Sequence, residues 1–383
     1  MDMIPLDYAT LRLVWWLLLG MLFIGFAIAD GFDLGVASLL PFVARNDEER
    51  RLVINTIGPV WEGNQVWLIV AGASIFAAFP AIYAVSFSGF YLAMFLVLFA
   101  LILRPVGFKF RSKLPSARWR ANWDRALFIG GFIPALIFGV AMGNVVVGVP
   151  FHFDEVAMRP VYTGNLFGLL NPFALIAGLV SVSLLVAHGA GMLSMKTEGE
   201  PPARAARYGT IAAIVGALLF IAAGVWVATG LTGHHVVPPV VTDGPSSPLL
   251  KTVATSAGGW MRNYQEMPLI WLAPASGVVG ALGSALFLWR RQGGLAFISS
   301  SLALTGVILT VGLSVFPFML PSSSTPDVGL TLWDASSTKK TLWNMLVVTA
   351  IFMPIILGYT TWVYRVLHGK VTPDILGENP NSY

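Results

Sequence analysis

The sequence predicts an all-α integral membrane protein of nine transmembrane helices, with the N-terminus outside and the C-terminus cytoplasmic. Three observations carry this expectation. The first is composition: 56% of the 383 residues are apolar and 11% are charged, against about 25% charged in ordinary soluble domains, and mean hydropathy is +0.76. The second is the recurrence of apolar runs of about 20 residues, the length that crosses a bilayer as a helix. The third is the alternation of Lys and Arg between successive loops.

The nine runs lie at 11–40, 56–79, 82–107, 123–149, 168–194, 207–231, 267–289, 294–317 and 341–366. The first is long and turns polar near its end. The short basic segment "ARNDEERR" reads as a loop that joins it to the second as an antiparallel neighbour. The fifth follows "LLNP", whose proline suits a first helical turn. Spans one to four (11–149) and five to eight (168–317) read as parallel four-helix pseudo-repeats within a single membrane domain, 1–383. Their fourth members share a loose pattern ending in "VPF" and "FPF", and 341–366 is an extra helix.

Charge fixes the direction. One set of loops and the C-terminal tail hold sixteen Lys and Arg, among them Arg45, Arg50, Arg51, Lys109, Arg111, Arg120, Arg204 and Arg290. The opposite loops hold six: Arg12, Arg159, Lys251, Arg262, Lys339 and Lys340. The basic set is therefore cytoplasmic. The outer loops, such as "HHVVPPVVTDGPSSP", are rich in turn residues and short of domain size. The segment "MDMIPLDYATLR" has no basic region or small-residue cleavage site, so the first span is expected to be retained.

Composition also excludes chemistry. With no cysteine, disulfides, iron–sulfur clusters and thiolate-held haem or zinc are ruled out. The net charge of +4 is spread over loops beside spans and is no nucleic-acid signature. No P-loop, dinucleotide fingerprint, HExxH or GxSxG stands on a suitable element, and Gly139–Gly143 gives a GxxxG that fits close helix packing. His188 is the one histidine inside a span. It suits either a hydrogen bond between helices or one haem face with a methionine opposite.

The informative residues are polar groups inside spans. A carboxylate at mid-membrane costs about 2.5–3.5 kcal/mol on insertion scales. In "FAIADGFDLGV", Asp30 and Asp33 are three apart and share a helix face in the cytoplasmic third of span one. In "GPVWEGNQVWLIV", Glu62 falls about two turns into span two, roughly 9–10 Å deep, with Asn64 and Gln65 beside it and Trp61 and Trp67 flanking. In "LILRPVGFKF", Arg104 reaches the same level. Asp30, Asp33 and Glu62 at one depth with Arg104 read as a water-accessible proton inlet. The plainer reading is that they cap helices or pair with one another, and Asn64 and Gln65 either orient Glu62 and bind water or pack subunits. On these residues alone, a proton-coupled secondary transporter is the rival.

The blocks "RLVWWLLLGMLFIGFAIADGFDLGV", "RNDEERRLVINTIGPVWEGNQVWLI", "FSGFYLAMFLVLFALILRPVGFKFRSK" and "FPFMLPSS…LTLWDASS" closely resemble subunit II of the cytochrome bd ubiquinol oxidases, a group that includes the cyanide-insensitive oxidases. The resemblance covers practically the whole chain. It implies a nine-span subunit of the bacterial inner membrane, with a periplasmic N-terminus and a fold related to that of its heterodimer partner, subunit I. The complex would oxidise ubiquinol and reduce dioxygen to water with protons from the cytoplasm. Two b-type haems, one d-type haem and the quinol site would belong to subunit I. Small single-span accessory subunits and a structural quinone occur in some members. By position, Asp30 and Glu62 match the family's proton-path carboxylates, and Arg104 its arginine after span three. Two positions depart from some members: position 62 is Glu where some have Asp, and position 109 is Lys where some have an acid. The resemblance makes Glu62 the group that takes a cytoplasmic proton toward the partner.

Overall fold

The computed structural model describes residues 4–372 apart from 155, 157 and 158, so the ends of the 1–383 reading and part of the loop "FHFDEVAMRPVYTG" lie outside the described residues. The helices are α1 (Tyr8–Val43), α2 (Asp47–Ile57), α3 (Trp61–Ala78), α4 (Pro80–Gly89), α5 (Tyr91–Phe110), α6 (Ala117–Val147), α7 (Pro172–Lys196), α8 (Pro201–Thr229), α9 (Arg262–Glu266), α10 (Leu272–Trp289), α11 (Gly293–Val315) and α12 (Lys339–Val366). Three small antiparallel pairs sit in the connections: β1 (Phe151–Phe153) with β2 (Pro160–Tyr162), β3 (Thr232–Val236) with β4 (Val253–Ala257), and β5 (Phe318–Leu320) with β6 (Leu330–Thr331). All three follow helices that run the same way, so they gather at one end of the molecule. The Lys- and Arg-rich connections lie at the other, basic end.

Local chemistry sets the helix starts. Asp7 accepts from the Thr10 N–H at 2.6 Å to begin α1, and Asn46 accepts from Glu49 N–H at 2.8 Å to begin α2. The first turn of α2 then carries Asp47, Glu48 and Glu49 against the positive end of its dipole. Asn171 caps α7 with Pro172 in the first turn, as "LLNP" predicts. Helix α1 is the hub, touching α3, α6, α7 and α11. Its crossing with α7 is close: a Cβ on Gly35 would collide with the Leu185 carbonyl, and one on Gly189 would meet the Gly35 and Val36 backbone at 2.5 Å. Only glycine leaves room there.

Among the described residues, eight helices are long and apolar enough to cross a membrane: α1, α5, α6, α7, α8, α10, α11 and α12, the α5 and α10 spans including their flanking 3-10 turns. Three sequence readings need correction. The basic loop "ARNDEERR" is in part the start of α2, because its capped, acidic first turn leads into Leu52, Val53, Ile54 and Ile57, all buried. The run 56–79 divides at 58–60, where Pro59 has no N–H to continue the ladder, and α3 starts anew at Trp61. Its first turns hold Glu62, Asn64 and Gln65, which keep it out of the apolar set. The run 82–107 divides at Phe90, with α4 at the hairpin end and the crossing helix beginning at Tyr91.

Candidate functional site

The site is assembled by α1, α3, α5 and α12. Arg104 on α5 grips Asp30 on α1 with both terminal nitrogens, Nη1 to Oδ2 at 3.1 Å and Nη2 to Oδ1 at 2.8 Å. Its Nη2 also lies 3.8 Å from Asp33 Oδ2. All three side chains are fully buried. Asp33 takes a 2.9 Å hydrogen bond from Asn64 Nδ2 on α3, and the other end of that amide, Oδ1, accepts from the Tyr364 hydroxyl on α12 at 2.7 Å. Trp61, also buried, stacks on Phe108 with centroids 5.2 Å apart and holds its ring 5.9 Å from the Arg104 guanidinium carbon.

The backbone explains the depth. Ten residues separate Asp33 from the end of α1, about 15 Å of helix at 1.5 Å per residue. Asn64 meets Asp33, so the first turn of α3 lies equally deep. Helix α2, of 11 residues, climbs from the basic end to that level, and α3 continues outward. The two are halves of one interrupted element, and the break opens beside the buried acids.

The arrangement holds two carboxylates against one guanidinium. Asp33 Oδ1, Arg104 Nε and Trp61 Nε1 are buried and have no hydrogen-bond partner among the described residues. Buried polar groups are ordinarily satisfied, so these two donors and one acceptor hold unused hydrogen-bonding capacity.

Sequence reasoning placed Asp30, Asp33, Arg104, Asn64 and Trp61 in one neighbourhood, and they meet. It also placed Glu62 there, and the structure does not. Glu62 lies two residues from Asn64, so the helical turn points it to the opposite side, where it is exposed. Gln65 is half-buried, and its side chain makes no hydrogen bond among the described residues. Trp67 is a packing residue: a Cβ on Gly25 of α1 would come within 2.7 Å of its ring. Tyr364 went unnoticed, since nothing local to "TTWVYRVLHG" signals a partner 300 residues away.

His188 bridges helices. Its Nδ1 meets Ser300 Oγ at 2.7 Å, its Nε2 meets the Ile28 carbonyl oxygen at 3.0 Å, and its ring stacks on Phe297. With both nitrogens engaged, it does not fit an axial haem ligand. His234 is buried beside Trp260 and Phe318 at the hairpin end, where burial holds its imidazole below the ordinary value.

Residues 11–367 match the family described as cytochrome bd terminal oxidase subunit II. The chain is 48% identical to the probable cytochrome oxidase subunit 2 of Haemophilus influenzae, over 98% of this chain and 99% of the relative. It has the same identity and coverage to the cytochrome bd-I ubiquinol oxidase subunit 2 of Escherichia coli K12. The Bacillus subtilis cytochrome bd ubiquinol oxidase subunit 2 is 30% identical over 95% of this chain and 98% of its own. A chain of the bd oxidase structure from Geobacillus thermodenitrificans shares the fold, with a TM-score of 0.67 over 93% of this chain and 98% of that one, at 16% identity. The chain is therefore a multi-pass membrane protein that belongs to the cytochrome bd terminal oxidase subunit II family.

Proposed function

We propose that the chain is subunit II of a cytochrome bd-type ubiquinol oxidase of the bacterial inner membrane, where it supports the haem-bearing subunit I and provides part of the proton path from the cytoplasm. The observation that carries this is the buried Asp30–Arg104–Asp33–Asn64 cluster, set in the half of the molecule nearer the basic end. By the charge rule that end is cytoplasmic, which puts the N-terminus in the periplasm. In this reading α2 and α3 together make the ninth span.

Each electron passed to dioxygen requires a proton. Glu62 stands on the exposed face of α3, at the depth of Asp33 but outside the packed bundle. The same face of α3 is otherwise apolar, with Val66, Ile69 and Phe76 exposed. A carboxylate on such a face is costly in lipid and suits a buried boundary with subunit I. Glu62 would receive a cytoplasmic proton there and deliver it to the partner, with the buried acids Asp30 and Asp33, held by Arg104, as the further proton-holding groups of the path. The haems would be held by subunit I, because His188 is committed to Ser300 and Ile28 and the other described histidines lie near the ends of the molecule. This chain's residues then take no part in electron transfer.

Two further readings follow from packing. Helix α1 packs on α3 and α6, and α6 on α5; α7, α8, α10 and α11 pack on one another; the groups meet along α6–α7 and at the α1–α7 crossing, which supports two four-helix pseudo-repeats with α12 as the extra helix. At the hairpin end, a cavity of about 310 Å³ is lined by residues including Tyr162, Phe173, Trp226 and Leu231. Its amides are spent, Asn171 Nδ2 donating to Asn144 Oδ1 at 2.9 Å and Asn144 Nδ2 donating to the Val140 and Leu169 carbonyls, both at 2.8 Å. It therefore suits an apolar chain, a lipid tail or the isoprenoid of a structural quinone. Family membership disfavours the transporter.

The test is Glu62→Gln in the intact complex. We expect full assembly, with wild-type haem content, and oxygen consumption reduced about tenfold or more, the upper range of a general acid–base contribution being larger still. Wild-type oxygen consumption in the assembled variant would remove Glu62 from the path.

A further inference from the structure

We propose that Tyr364, on the last helix, is a positioning residue for this site: its hydroxyl fixes the orientation of the Asn64 amide and thereby controls how Asp33 exchanges a proton. The inference rests on the proton-path reading and concerns a residue outside it.

Helix α12 is the least embedded of the crossing helices. Of its 28 residues, only Leu342 is buried, and along most of its length it shows apolar residues such as Ile351, Phe352 and Ile355 outward. It is tied down at its ends. Near its start the Trp15 indole donates to the Leu342 carbonyl at 2.9 Å, and just past its end Lys196 Nζ donates to the Leu367 carbonyl at 2.8 Å. A further anchor is the hydrogen bond from Tyr364 to Asn64, and it is aimed at the buried acids.

An amide has a donor end and an acceptor end of nearly equal shape. Facing an ionised Asp33, Asn64 must present its NH₂, and it does so at 2.9 Å. The Tyr364 hydroxyl, donating to the amide oxygen at 2.7 Å, makes that orientation the favoured one. When Asp33 carries a proton the polarity reverses: the acid donates to the amide oxygen, the amide NH₂ donates to the phenol oxygen, and the phenol hydrogen turns toward the basic end. A hydroxyl can serve both states because it both donates and accepts. No bond to carbon changes, and the proton gained by Asp33 is the one it later releases. Tyr364 is only two residues from the end of α12, and the residues that follow, Arg365 to Lys370, are exposed, so the phenol is the end of the chain nearest water.

The experiment uses the purified complex, with haem content as the measure of assembly and four forms of this subunit: Tyr364→Phe, Asn64→Ala, the double variant, and Asp33→Asn. We expect Tyr364→Phe to lower kcat at least threefold with an unchanged KM for ubiquinol. The double variant should be no slower than Asn64→Ala, because residues that act as a unit are not additive. Wild-type kcat in Tyr364→Phe, or a double variant slowed by the product of the single effects, overturns the proposal. Wild-type kcat in Asp33→Asn overturns the proton-path reading of the buried acids instead. Should Tyr364→Phe not assemble, 3-fluorotyrosine at position 364 keeps the ring and changes the hydroxyl's acidity. A shifted carboxyl band in the redox-difference infrared spectrum, absent from Asp33→Asn, then supports the proposal, and an unshifted band overturns it.

Discussion

Two fully buried arginines on opposite ends of the bundle show how one residue type does different work. Arg12, on α1 at the hairpin end, is answered by neutral oxygens. Its Nε donates to Ser336 Oγ at 2.8 Å, Nη1 to the Thr242 carbonyl at 2.6 Å, and Nη2 to the Gly244 carbonyl at 2.9 Å and Ser246 Oγ at 3.0 Å. The Tyr8 ring covers it, 3.6 Å from the guanidinium carbon. Arg104 is answered by carboxylates, and it leaves its own Nε and one oxygen of Asp33 unpartnered. The first guanidinium is a peg that pins the 242–246 loop to α1. The second belongs to a cluster with unused hydrogen-bonding capacity and one more acid than base. Satisfied groups build structure, whereas unspent ones beside charge are where chemistry becomes possible.

The comparison is broken most directly at Arg104. Arg104→Met strands two carboxylates in the interior, a cost of about 3–5 kcal/mol against a total stability of order 5–15 kcal/mol. We expect assembled complex, measured by haem absorbance in the membrane, to be largely lost. Changing Asp30 and Asp33 to Leu in the same chain removes the stranded charges, so assembly should return while oxygen consumption does not. Recovery of turnover in that triple variant would make the cluster merely structural. At Arg12 the expected effect is smaller. Arg12→Met gives up charge-assisted bonds to oxygens that lie near the surface and can rehydrate, about 2 kcal/mol, seen as a lower Tm with unchanged turnover.

The smallest effect lies at the basic surface. Glu49 in the first turn of α2 is partly buried, which alone would raise its carboxyl. The Arg204 guanidinium at 2.6 Å and the backbone N–H groups of Arg45 and Asn46 outweigh that and hold it below the usual carboxylate range. Its contribution is present above the ordinary glutamate pKa and lost as pH falls through the lowered folded value. Since the pair is partly solvated, under about 1 kcal/mol is at stake. Scanning Tm from neutral to acid pH, the gap between wild type and Glu49→Gln should close at the acid end.

How far the site could be read in advance depends on the range of the interaction. Asp30 and Asp33 share a face because three residues make most of a helical turn, and that is a local fact. Their meeting with Arg104 followed from matching depths in spans one and three, which run the same way and end on the same side. Of the polar residues in the first turns of α3, Asn64 faces inward and Glu62 outward, because the rotation of a helix that starts afresh at Trp61 is not carried by the hydropathy of its neighbours. Tyr364 was invisible because its partner lies 300 residues away in sequence.

The sequence by itself determined that this chain lives in a membrane, where most of its long apolar helices lie, which end is basic and which polar residues are out of place, since each of these is a matter of composition along a short window. Only the tertiary structure decided that Asn64 and not Glu62 faces Asp33, that α2 and α3 are two halves of an interrupted element, and that the last helix reaches back to the acids. Those outcomes depend on how helices rotate and cross, which is settled by close contacts such as Gly35 against Gly189, between residues far apart in the chain.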